Sequence, residues 1–377
     1  MTVESVEAIP LAYDLEPGRG YGSARGTVTQ RTTTLVRAET ADGTVGWGEA
    51  WGPPRTVATL VDEVVADQVV GRTLTALQSL VEDTYAGLYH LAGRGLFQCA
   101  FSGVDIALWD LRGKRASRPV HELLGGAQRE TVTPYASTMY ITDWGQDPAE
   151  PMASAVEEEF TAAKIKIGRG LEDDRERVRV AREHLGDDAT LMVDVNGNYR
   201  ADQAVRLAHE LESFDVHWIE EPVPPEALDG YRTVSQEAGV TLAGGEAAYS
   251  RFDFERLVER GGVDVVQPDV TKVGGLSEGV VIARQATTAG AACSPHCWMG
   301  AVGLTAALHL AAVVPSYPHA GNVPDPFLFE IDRAENALRT DLVTDPMDPT
   351  DGTLGIPNDP GLGVTVDRQT VERLRVD

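Results

Sequence analysis

Lysine is nearly missing from this 377-residue chain: only Lys114, Lys164, Lys166 and Lys272 occur, against 28 arginines. Cysteine is almost as scarce, and the odd set Cys99, Cys293 and Cys297 excludes a disulfide scaffold. Cys293, His296 and Cys297 cluster in "CSPHCW", but no second Cys/His group completes a tetrahedral zinc set. No run approaches the roughly 20 apolar residues that a bilayer span needs. The start, MTVESVEAIPLAYDLEP, carries early acids and no basic leader, so a cytoplasmic location is expected. Positive charge is also short, and the formal net charge is −26. Such a surface repels nucleic acid and acidic membranes, so neither is an expected partner. Acidity with little lysine suits a halophile, where salt screens self-repulsion over a few ångströms; a GC-rich genome with an acidic proteome is the alternative.

What is present follows two rhythms. In "TTTLVRAETADGTVGWGEA" two strand patterns flank the Asp42–Gly43 turn, and helical patterns follow over about 55–70, 73–91 and 98–116. Phe101, Val104, Leu108 and Leu111 share one face of the last. Residues 1–125 therefore read as an α+β unit. From about 130, short apolar runs alternate with amphipathic helices: "VTPYAS", "AAKIKIG", "TLMVDVN", "VHWIEEP", "TLAGGE", "VDVVQPD", "AACSPH" and "PFLFEID". Eight strand–helix units imply parallel strands with crossovers, closing as an α/β, (β/α)8-type barrel over 126–345. The tail, 346–377, carries one strand and is expected to fold back on the first unit.

Strands covered on both faces should be wholly apolar, yet here each carries charge near its C-terminal end. Lys164 and Lys166 close the second strand, Asp194 the third, Glu220 and Glu221 the fourth, Glu246 the fifth, Asp269 the sixth, His296 the seventh and Glu330 the eighth. Successive gaps from Lys166 to His296 are 28, 26, 26, 23 and 27 residues, one unit each, which brings all of them to one rim. By strand alternation Lys164 and Lys166 face the barrel mouth, while Ile165 and Ile167 meet the outer helices. Asp194, Glu220 and Glu246 crowd three carboxylates together, which calls for a cation, and oxygen-only ligands point to Mg2+, one per subunit. Asp269 beside His296 forms a carboxylate–imidazole pair. Glu221 should point away from Glu220, and Lys272 stays outside the chemistry.

These residues resemble the enolase superfamily, and within it the mandelate racemase/muconate lactonizing enzyme group, over nearly the whole length. The carriers are "KIKIG", "DVNGNY", "WIEEP", "GGE", "QPDVTKVGG" and "SPH". The resemblance implies a capping domain completed by the C-terminal tail, over a barrel whose eighth helix is often shortened. It implies Mg2+ on Asp194, Glu220 and Glu246. It makes Lys166 one base with Lys164 as partner, and Asp269–His296 the second acid/base. Glu330 matches the group that donates to the substrate carboxylate, across a longer connection containing "PSYPHAGNVPDPF". The stretches "DGTVGWGEAWGPP", "FLFEIDRAENALR" and "IPNDPGLGV" are similar to galactarolactone cycloisomerases and sugar-acid dehydratases, haloarchaeal aldonate dehydratases among them.

The implied chemistry is abstraction of the proton beside a carboxylate, then β-elimination to a 2-keto-3-deoxy acid. Cycloisomerisation of an aldarolactone and racemisation of a 2-hydroxy acid are the alternatives. Lys164 and Mg2+ should depress the Lys166 pKa. The partner is a small sugar acid or its lactone, and the resemblance implies a homo-oligomer of two to eight chains. The loop "LEPGRGYGSARG" offers Arg19, Tyr21 and Arg25 to substrate, "EAWGPPRT" offers Trp51 and Arg55, and Asn196 lies beside the metal set. Two other classes are a Schiff-base aldolase, against which the carboxylates argue, and a non-catalytic sugar-binding protein, against which proton carriers on both faces argue.

Overall fold

The computed structural model describes residues 2–74, 77–144, 147–315 and 326–376. The first unit is an antiparallel sheet of β1 (Val3–Asp14), β4 (Gln30–Thr40) and β5 (Val45–Ala50), with the short hairpin β2 (Tyr21–Ser23) and β3 (Gly26–Val28) standing off it. Thr40 and Val45 flank the expected Asp42–Gly43 turn, and the helix Gly95–Ala116 packs on β5. The expected face of that helix is buried, but so is nearly every residue from Phe97 to Leu111, because the sheet covers one side and the helix Gly275–Ala289 the other.

The second unit is the expected barrel. Its strands are β6 (Thr131–Thr138), β7 (Ala162–Lys166), β8 (Thr190–Asp194), β9 (Val216–Glu220), β10 (Leu242–Gly244), β11 (Val265–Val266), β12 (Ala292–Cys293) and β13 (Leu328–Asp332). They pair in parallel, in chain order from β6 to β12, with β13 beside β6. Between β12 and β13, Ser294 Oγ donates to the Leu328 carbonyl at 2.8 Å. The place after β13 is taken by a single helical turn, Ala337–Thr340, and the helix Arg368–Leu374 follows in the tail. The connection "PSYPHAGNVPDPF" falls largely on 316–325, outside the described residues.

Two apolar layers explain why charge collects at one end. Tyr135, Ala162, Met192, Trp218, Ala243, Val265 and Leu328, one from each of seven strands, fill the barrel interior. Ile165, Ile167, Val193 and Ile219 belong instead to the core beneath the helices. Two residues beyond the interior layer, on the same strand face, stand Lys164, Asp194, Glu220, Gln267 and Glu330. Strand register levels them further, since Lys166 pairs with Asp194 and Asp194 with Glu220. Glu246 is out of step, three residues beyond Ala243. Gly245 absorbs the difference at φ +130°, where a Cβ would lie 2.5 Å from the Phe254 ring.

The tail reaches both the first unit and the barrel: Gly361 pairs with Arg118 and Val120, and the Leu362 amide donates to Asp110 Oδ1 at 2.8 Å. Its strand β14 (Leu354–Gly355) pairs antiparallel with β6 of the barrel and not with the first sheet. The helix Arg368–Leu374 packs on β1, and beyond it the Val376 amide donates to the Pro10 carbonyl at 3.0 Å. Leu354 pairs with Val132 of β6, and Leu354 and Ile356 are both buried.

Candidate active site

Eight charged side chains from seven barrel strands meet at the C-terminal mouth. Lys164 Nζ lies 2.5 Å from Glu220 Oε1 and 2.9 Å from Glu330 Oε1. Lys166 Nζ lies 2.5 Å from Asp194 Oδ2. His296 Nδ1 is 2.9 Å from Asp269 Oδ2, and its Nε2 is 3.3 Å from Glu246 Oε2 and 4.0 Å from Glu330 Oε2. The Thr271 amide and hydroxyl both donate to Asp269 Oδ1, at 2.8 and 2.6 Å. Asp269 is thus held on one oxygen and presents the other to the imidazole.

Asp194, Glu220 and Glu246 offer carboxylate oxygens that all lie within 4.8 Å of one another, the one such group among the described residues. Burial above all, with repulsion from Asp194, Glu330 and Glu246, raises the Glu220 carboxyl to about 7 against the pull of Lys164. This strain is what a bound cation relieves. Asn196 donates its Nδ2 to Asp194 Oδ2 at 3.1 Å and to Glu246 Oε1 at 3.4 Å, leaving its buried Oδ1 without a partner. Three hard oxygen donors with an orphaned amide oxygen beside them fit Mg2+.

Burial and Lys164 both favour the neutral Lys166 amine; the Asp194, Glu246 and Glu220 carboxylates outweigh them and raise its pKa, and Mg2+ on those carboxylates would act in the opposite, expected direction. Two expectations need correction. Burial likewise raises the Glu330 carboxyl, but Lys164, His296 and Lys166 hold it well below the usual carboxylate range. As a carboxylate it cannot donate; it accepts from the Cys297 amide at 3.1 Å and braces Lys164. Glu221 does not escape the site. Its φ of +38° breaks strand alternation, its side chain is buried, and burial with repulsion from Glu246, Asp194 and Glu220 pushes its carboxyl well up. His296 follows expectation: against the cost of burial, Glu246, Glu330 and Asp269 raise it to about 9, so it is an imidazolium at neutral pH.

The first unit supplies the upper wall. Tyr21 packs on Trp298 and Tyr140, with centroids 5.5 and 6.0 Å away, and the Arg31 guanidinium lies 3.7 Å from the Tyr21 ring. Trp298 stacks on His296 at 6.3 Å, and Lys166 Nζ sits 5.2 Å from the Trp298 centroid. Arg25 sends Nε to the Asn196 carbonyl at 2.5 Å and Nη2 to the Gly197 carbonyl at 2.7 Å, tying its loop to the barrel rim. Arg19 and Arg55 are exposed. Trp51 covers Lys272, whose Nζ is 4.4 Å from that ring and donates to the Glu246 carbonyl. Sequence reasoning missed Gln267, which donates to Glu220 Oε2 at 2.6 Å. Its position two residues before Asp269 was the available signal. Trp298 and Arg31 carried no signal of that kind.

The fold and this constellation define a class, and comparison with known proteins agrees. Residues 148–370 match the family described as "Enolase C-terminal domain-like", and residues 13–125 match "Mandelate racemase / muconate lactonizing enzyme, N-terminal domain". The chain belongs to this mandelate racemase/muconate lactonizing enzyme family of the enolase superfamily. It is 36% identical over 359 residues to D-galactarolactone cycloisomerase of Agrobacterium fabrum, covering 94% of each chain. It is 32% identical over 333 residues to arabinonate dehydratase of Saccharolobus solfataricus, covering 87% of this chain and 86% of that one. A crystal structure of a racemase from Streptomyces coelicolor with bound magnesium superposes with a TM-score of 0.87 at 31% identity, covering 99% of this chain and 100% of that one. No helix among the described residues is long and apolar enough to cross a membrane.

Proposed function

We propose that the protein is a Mg2+-dependent lyase that dehydrates a sugar acid to a 2-keto-3-deoxy acid. One observation carries the reading: an amine, Lys166, and an imidazolium, His296, both stand against Trp298 beside a single three-carboxylate cluster. Such a pair can take a proton from carbon and give one to a departing oxygen.

Asp194, Glu220 and Glu246 would hold the ion, which as a Lewis acid would stabilise charge growing on the substrate carboxylate. A Lys or His base working with such ions is the general pattern of enolase-superfamily sites, so that pairing is inherited from the family rather than new. Lys166 removes the proton beside the carboxylate once its hold on Asp194 is released and the amine is neutral. Lys164 stays charged, because Glu220 and Glu330 outweigh its burial, and it hydrogen-bonds the substrate carboxylate. His296, protonated and oriented by Asp269, gives its Nε2 proton to the leaving hydroxyl. Trp298, Tyr21 and the Arg25-tied loop exclude water above.

The second reading is cycloisomerisation, in which a lactone ring oxygen leaves in place of hydroxide. The 36% identity to a galactarolactone cycloisomerase favours it, and the same residues would serve. Incubating the protein with Mg2+ and a panel of aldonates, aldarates and their lactones in D2O separates the two. A 2-keto-3-deoxy product from an open acid supports dehydration, and product from a lactone alone supports cycloisomerisation. Exchange of the α-proton without any keto product, or full activity in EDTA, would sink both.

A further inference from the structure

Three buried facts meet at the end of β5. Glu49 is a wholly buried carboxylate of the first unit, with no cation paired to it among the described residues. Its Oε1 accepts from the Gly300 amide at 2.7 Å and the Thr33 hydroxyl at 2.8 Å, and its Oε2 accepts from the Gly303 amide at 2.7 Å. Gly300 caps the barrel helix Ala301–Val313, and a glycine has no side chain with which to satisfy that helix's free amides. Glu49 does so from 251 residues away, and its negative charge meets the positive end of the helix dipole. Gly300 is needed for the approach, because a Cβ there would stand 2.8 Å from Glu49 Oε1. Two residues on, the Trp51 amide donates to the Thr271 carbonyl at 3.1 Å.

Both contacts land on loops that carry the Asp269–His296 pair. Gly300 lies four residues after His296 on the same loop, and Thr271 is the residue whose amide and hydroxyl fix Asp269 Oδ1. On the lysine side the first unit reaches the main-chain carbonyls of Asn196 and Gly197 through the exposed Arg25, while the side chains of Lys164 and Lys166 are braced by carboxylates of the barrel itself. From this asymmetry we propose that Glu49 is a positioning residue for His296: it anchors the His296–Gly300 loop from the first unit, so that the imidazole meets the leaving oxygen, without acting on proton removal by Lys166. Docked this way, the first unit helps assemble the acid half of the site besides covering it.

The inference rests on the roles given to Lys166 and His296 above, and its test separates the two claims. In Glu49→Gln the amide can accept from one backbone N–H but turns a donor toward the other. With the Mg2+-loaded enzyme and a sugar acid that the wild type turns over, kcat for keto-acid formation should fall about 10–100-fold with KM within about threefold. Exchange of the α-proton with D2O should stay within about threefold of wild type. Gly300→Ala, whose backbone angles alanine tolerates, presses on Glu49 from the other side and should give the same split if Glu49→Gln does not fold. Elimination and exchange falling together, or neither falling, would overturn the proposal. If the wild type neither exchanges nor eliminates with any acid, the function reading fails by itself. Amide hydrogen exchange then decides the positioning claim: protection lost over 296–303 in Glu49→Gln, with the rest unchanged, sustains it, and unchanged protection overturns it.

Discussion

Replacing Lys166 by methionine tests the electrostatics of the mouth more sharply than loss of activity can. The ammonium sits 2.5 Å from Asp194 Oδ2, so it competes with any cation for the same carboxylate. A unit charge and the double charge of Mg2+ about 4 Å apart repel by roughly 8 kcal/mol at an effective dielectric near 20, before the carboxylates between them offset most of it. The long side chain can swing away from part of that repulsion, and about 1–2 kcal/mol should remain, a factor of about 5–30 in affinity. Lys166→Met should therefore bind Mg2+ more tightly than wild type while losing α-proton exchange by about a thousandfold or more. Isothermal titration with Mg2+, on protein first stripped with EDTA, reads the affinity; thermal melts confirm that the variant is folded. Binding more than threefold weaker than wild type would show that Lys166 organises the ligands instead of competing with them. Near-native turnover would remove it from the chemistry.

Two further outcomes are expected away from the ligands. His309 is buried neutral between the His121 ring and the Leu362 carbonyl, and burial holds its pKa down to about 3 from 6.5. Because the unfolded chain takes the proton first, this group's stability is whole above about pH 6.5 and is lost as pH falls toward 3, at about 1.4 kcal/mol per unit. Urea unfolding of wild type and His309→Gln should converge by about 2 kcal/mol between pH 6.5 and 5, and parallel losses would refute the assignment. Arg25→Ala frees the loop from the Asn196 and Gly197 carbonyls. It should raise KM about 3–10-fold more than it lowers kcat and speed proteolysis within 15–28; unchanged KM and cleavage would show that the tie is idle.

Much of the barrel was legible because strand alternation and a repeat of about 26 residues act together. Lys166, Asp194 and Glu220 each end a strand, Asp269 and His296 stand three residues past one, and parallel strands leave one rim for such ends. Glu246 was placed correctly although Gly245 breaks the alternation that led to it; the equal spacing carried it. Alternation broke off at Glu221, whose φ is left-handed and whose buried carboxyl feels Glu246, Asp194 and Glu220. Charge states were harder to read than positions. A net pKa depends on which neighbours stand closest, and sequence does not say that Lys166 touches Asp194 while Glu330 touches Lys164. Contacts between the two units were hidden for the same reason. Neither Glu49 nor Gly300 means anything alone, and 251 residues separate them. The loop's arginines looked alike in sequence; Arg25 reaches main-chain carbonyls and Arg19 stays exposed only because the hairpin β2–β3 sets their directions.

The two halves of the mouth are held by different means, and that difference bears on how one framework could run several reactions. In the proposed mechanism proton removal needs Lys166 near the carboxylate cluster, and both lysines stand on a barrel strand whose register with its neighbours is fixed by backbone hydrogen bonds. In the same proposal, what departs, and with whose proton, depends on His296, Trp298 and Tyr21, which stand on loops and on the first unit. Changes in the loop 15–28, or in the way β5 meets the helix Ala301–Val313, can therefore redirect the second step without disturbing the first. Dehydratases and cycloisomerases stand at similar distance from this chain, at 32% and 36% identity, as expected where the shared step lies in the barrel and the divergent one at its junction with the cap. On that view, exchanging the 15–28 loop for that of a cycloisomerase relative should alter the ratio of open-acid to lactone turnover while α-proton exchange persists. Loss of exchange in the chimaera would mean that the halves are not separable.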